Sequence, residues 1–71
     1  MKVNGAKIKE LREKHGWSKE EFAGKFEPQV TRQAIEAWER GAVGTFKTLN
    51  RIAEALKVSP EFLTVPSVEA P

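Results

Sequence analysis

The chain has 71 residues, with 12 lysines and arginines against 10 acidic residues, a net charge of +2. That is room for one small domain, weakly basic and far from histone-like, which permits nucleic-acid binding without demanding it. It has no cysteine, which excludes a disulfide staple and any thiolate metal site.

No run of about 18 apolar residues is present to cross a membrane. The start MKVNGAKIKE lacks the apolar stretch of a secretory signal, so the expected compartment is the cytoplasm. Every acid is a glutamate, which suits helix interiors better than aspartate does and favours an all-α chain.

The first predicted helix runs from about Gly5 to His15, with Asn4 as its cap, Ile8 and Leu11 as its inner stripe and Gly16 as its terminator. The second starts at Ser18, where Ser18 and Glu21 have capping-box spacing. Phe22, Ala23 and Phe26 supply its apolar side, and Pro28 stops it. The third is TRQAIEAWERG, Thr31–Gly41, capped by Thr31 and ended by Gly41. Ile35 and Trp38 face inward from it, while Arg32, Gln33 and Glu36 look outward.

The fourth helix begins near Thr45, where Leu49, Ile52, Ala53 and Leu56 follow an i, i+3, i+4, i+7 pattern. A short fifth helix opens on Ser59-Pro60-Glu61, with Phe62 and Leu63 locking it to the others. The expected domain is 1–64, and 65–71 is expected to be a flexible tail or the start of a linker.

The outer face of the third helix carries the chemistry. Arginine bonds guanine through two hydrogen bonds and glutamine does the same with adenine, so Arg32 and Gln33 are candidate base readers. Glu36 can accept from cytosine or pair with Arg32 or Arg40 across a helix turn, and pairing is favoured because phosphates repel carboxylates. Ala37 can touch a thymine methyl. Lys19, in the first turn of the second helix, is a candidate phosphate contact, because a helix start presents free amides and a positive dipole end. Thr31, Arg40, Thr45 and Lys47 are further phosphate candidates.

His15 is the sole histidine, with no second nitrogen ligand, so no metal site is expected. Without aspartate there is no Ser-His-Asp triad, and the five glycines form no phosphate loop, so neither catalysis nor a cofactor or small-molecule ligand is expected.

Three segments in order, IKELREKHGWSKEEFA (Ile8–Ala23), IEAWERG (Ile35–Gly41) and TLNRIAEALKVSPEFL (Thr48–Leu63), resemble the helix-turn-helix domains of phage repressor and Cro proteins, the xenobiotic-response-element family. The resemblance covers about Gly5–Leu63. It implies an all-α, compact five-helix bundle of the lambda-repressor-like type, whose second and third helices form the DNA-binding unit. It also implies a homodimer on an operator with two half-sites about 34 Å apart.

Arg12 and Glu39 match a family pair that forms a structural salt bridge between the first and third helices. Trp17 and Trp38 can in principle stack on single-stranded bases, but both match core positions of the family, as do Phe22, Phe26 and Phe62. Phe46 has no such assignment and can help a partner dock.

Two departures stand out. The stretch between Ala23 and Ile35, GKFEPQVTRQA, is about two residues longer than the family pattern, and the loop Ala42–Gly44 lacks its usual cation. Both, with the low net charge, favour the alternative that the bundle is a protein-interaction module, such as an antitoxin or accessory subunit.

Overall fold

The computed structural model describes residues 3–64; the tail expected at 65–71 lies outside the described residues. Four α-helices follow in order: α1 Gly5–Lys14, α2 Lys19–Ala23, α3 Arg32–Glu39 and α4 Phe46–Leu56. A 3-10 helix, Pro60–Leu63, closes the bundle. There is no strand among the described residues, only one antiparallel bridge between Val3 and Thr64.

Each α-helix starts on a polar cap. Asn4, Ser18, Thr31 and Thr45 each accept a hydrogen bond from the amide three residues on, and Glu21 returns the favour to the Ser18 amide at 2.8 Å. These bonds satisfy amides that a helix start leaves free.

The second helix is shorter than expected, and the short fifth is of another type. The second helix does not reach Pro28: it stops at Ala23, where the Gly24 amide closes the last turn on the carbonyls of Glu20 and Phe22. The Val30 amide then donates to the Ala23 carbonyl at 3.2 Å, folding the chain back before it can propagate. The fifth helix is a 3-10 helix, whose amides bond carbonyls three residues back, Phe62 to Ser59 and Thr64 to Glu61.

The core joins Ile8 of α1, Phe22 of α2, Ile35 of α3, Leu49, Ile52 and Leu56 of α4, and Leu63, all fully buried. Phe26 and Trp38 complete it with inclined rings: Phe22 to Phe26 and Phe26 to Trp38 each measure 5.2 Å between ring centroids at 60° between planes. Leu11 is half-buried at the margin, since Arg12 takes the inward position beside Ile8.

Two aromatics depart from expectation. Phe62 is 57% exposed, because its neighbour Leu63 fills the inward slot of the 3-10 helix. Trp17 is only half-buried; it stacks between His15 and Phe22, with the Lys25 ammonium 4.8 Å from its ring centroid.

Lys57 ends α4 with φ 62, and the amide of Val58 reaches back to the carbonyl of Ala53 at 3.0 Å. A lysine in this left-handed conformation costs about 1 kcal/mol that glycine avoids, less what glycine loses in unfolded-chain entropy. Lys57→Gly should therefore raise stability by about 0.5 kcal/mol, read as a higher thermal midpoint.

Candidate nucleic-acid interface

The inner side of α3 fixes its direction. Ile35 is fully buried, Trp38 nearly so, and both pack into the core. At the C-terminal end, Glu39 meets Arg12 of α1: Nε to Oε2 is 2.6 Å and Nη2 to Oε1 is 3.4 Å. The two side chains are only 7% and 8% exposed. Arg12 also donates from Nη1 to the Trp17 carbonyl at 2.9 Å, so one guanidinium ties α1, α3 and the α1–α2 connection. Two turns earlier on α1, Gly5 presses against the backbone of Glu39 and Gly41. Gly41 ends α3 with φ +90.

The opposite side is open. Arg32 and Gln33 are exposed at the start of α3, Glu36 and Ala37 are half-buried along it, and Arg40 is exposed past its end. Gln33 makes no side-chain hydrogen bond among the described residues. The longer connection leaves both candidate readers uncovered. It is itself pinned: Phe26 is buried, and Arg51 of α4 donates to the Pro28 carbonyl at 3.3 Å with its guanidinium over the Phe26 ring.

The first turn of α2 faces this open side and brings four charges together. Arg32 Nη1 lies 3.3 Å from Glu20 Oε2, and Arg32 Nε lies 3.2 Å from Glu36 Oε2. Lys19 Nζ lies 3.6 Å from the same Glu36 oxygen. The quartet alternates in sign and sums to zero. Glu36 thus pairs with Arg32 and with Lys19, and not with Arg40.

Arg40, Thr45 and Lys47 are exposed but share no hydrogen bond or ion pair with the quartet among the described residues. The Thr45 hydroxyl is engaged with Thr48, both as acceptor and as donor. Thr31 likewise spends its oxygen on the Ala34 amide.

Glu20 and Arg51 are absent from the sequence reading. Both looked like ordinary charges on polar helix faces, and only the packing of α2 on α3 and of the turn on α4 gives them partners. For Glu20 one signal existed: once Glu21 is assigned to the capping box, Glu20 must point elsewhere. Among the described residues there is no cluster of potential metal ligands and no helix long and apolar enough to cross a membrane.

A helix-turn-helix family model matches residues 8–63, most of the chain. The chain belongs to the helix-turn-helix family of the phage repressor and Cro type. That is a family of DNA-binding transcription regulators. No curated protein and no solved structure matches this helix-turn-helix domain. α2 and α3 both lie within the matched residues.

Proposed function

We propose that this helix-turn-helix domain binds double-stranded DNA sequence-specifically, as a homodimeric repressor that lays α3 in the major groove of each half-site. One observation supports this most: Arg32 and Gln33 project from a helix whose other side is held by Ile35, Trp38 and the Arg12–Glu39 bridge. A reader must be aimed by a rigid support, and this one is. The dimer, the repressor role and the half-site spacing follow the phage repressor resemblance.

Arg32 retains the donors it needs. A guanidinium has five N–H groups; Glu20 accepts from one of them, at Nη1, while Glu36 forms an ion pair beside Nε. Guanine takes two through O6 and N7. Gln33 is free to address adenine. Lys19 supplies positive charge toward the backbone, and Arg40 and Lys47 are exposed cations that can follow the phosphates on either side.

Selection from random duplexes, followed by gel shift, tests the reading. Arg32→Ala should cost about 1–3 kcal/mol at the preferred site and little on unrelated DNA. Lys19→Ala should weaken binding to all sequences alike and flatten the salt dependence by about 0.9 log units per log unit of salt. Uniform losses for both variants would remove Arg32 from base reading.

The zero-sum quartet supports a second reading, the protein-interaction module. A face whose charges already satisfy one another attracts phosphates less than free cations do. This reading predicts DNA affinity no better than that of a generic weakly basic domain, without sequence preference.

A further inference from the structure

Glu20 stands on α2, yet it reaches the residue at the head of α3. Its Oε2 accepts from Arg32 Nη1 at 3.3 Å, while Glu36 Oε2 lies 3.2 Å from Nε. Arg32 is 53% exposed and Glu20 66% exposed, so the contact adds little to stability. Its effect lies in orientation. An unsupported surface arginine samples many rotamers, whereas two carboxylates on different helices restrict the plane of the fork.

We propose that Glu20 is a positioning residue for Arg32 and sets its base specificity. The inference rests on the DNA-reading proposal above. Glu20 accepts from one Nη1 proton, which leaves four of the five N–H groups, enough for the two acceptors of guanine. Neither ion pair has to break for that contact. Glu20 acts on the other side of the ratio as well: a carboxylate beside the reader disfavours approach of phosphate, so sequence-blind binding is suppressed.

The test uses the whole chain and three duplexes of equal length: the selected site, the same site with the preferred guanine·cytosine pair changed to adenine·thymine, and an unrelated sequence. Kd is measured by fluorescence anisotropy, with circular dichroism to verify folding. For Glu20→Ala, discrimination between the first two duplexes should fall roughly threefold to tenfold, part of what a whole bidentate contact supplies. Affinity for the unrelated duplex should rise about twofold.

Glu20→Gln loses the same charge but keeps an oxygen that accepts from Nη1. It should raise non-specific affinity equally and retain an intermediate discrimination. In an Arg32→Ala background, Glu20→Ala should no longer alter discrimination.

Unchanged discrimination in both Glu20 variants, or an equal drop when Arg32 is already absent, would overturn the role of Glu20 alone. A parent domain with no base preference would overturn the DNA-reading proposal and this one with it.

Discussion

Glu39→Ala should cost about 3–5 kcal/mol of folding stability, because it leaves the Arg12 guanidinium buried without its carboxylate. The two side chains are 7% and 8% exposed, so water cannot replace the lost partner. A domain of this length has roughly 4–10 kcal/mol in total, so the variant loses a third or more of it. Arg12→Met should fall in the same range, with the Trp17 carbonyl losing its 2.9 Å donor as well.

The double variant Arg12→Met, Glu39→Leu should recover most of the loss, since neither charge then has to be desolvated. Urea denaturation with an unchanged m-value measures all three. A single-variant loss under about 1 kcal/mol would mean that the bridge behaves as an exposed pair. The consequence for function is direct. The bridge holds the C-terminal end of α3, and the proposed readers, Arg32 and Gln33, sit at its other end.

Much of this was legible in the sequence, for a physical reason. Caps and apolar periodicity are local, so Asn4, Ser18, Thr31 and Thr45 marked the helix starts, and Leu49, Ile52, Ala53 and Leu56 marked the inner face of α4. What was misplaced depends on distant partners. Phe62 and Leu63 are adjacent apolar residues, and only the direction of the 3-10 helix decides which is buried. Phe26 was assigned to a helix because it continues the spacing from Phe22, yet it reaches the core from the turn.

The candidate interface divides in the same way. The outward direction of Arg32 and Gln33 follows from the inward direction of Ile35 and Trp38 on one short helix. That Arg32 stands between two carboxylates follows from how α2 crosses α3, which no local pattern encodes. The same holds for Arg51, whose bond to the Pro28 carbonyl pins a turn that sequence reading marked only as longer than the family pattern.

Gly5→Ala should cost about 2–3 kcal/mol, although alanine is the better helix former by about 1 kcal/mol. A Cβ at this position would meet the carbonyl group of Glu39 and the amide nitrogen of Gly41. These are backbone atoms at the end of α3 and cannot rotate aside, so α1 and α3 must separate. Gly5 and Arg12 are seven residues apart on α1, two turns along one face, and both grip the same end of α3.

Separation at Gly5 therefore stretches the 2.6 Å contact between Arg12 and Glu39 as well. The two sites should be coupled: in a Glu39→Gln background, Gly5→Ala should cost measurably less than in the parent. Thermal melts of the four variants in this cycle measure the coupling. Additive losses would show that α1 holds α3 at two independent points. A smaller cost in the Glu39→Gln background would show one cooperative joint, at the end of the helix opposite Arg32 and Gln33.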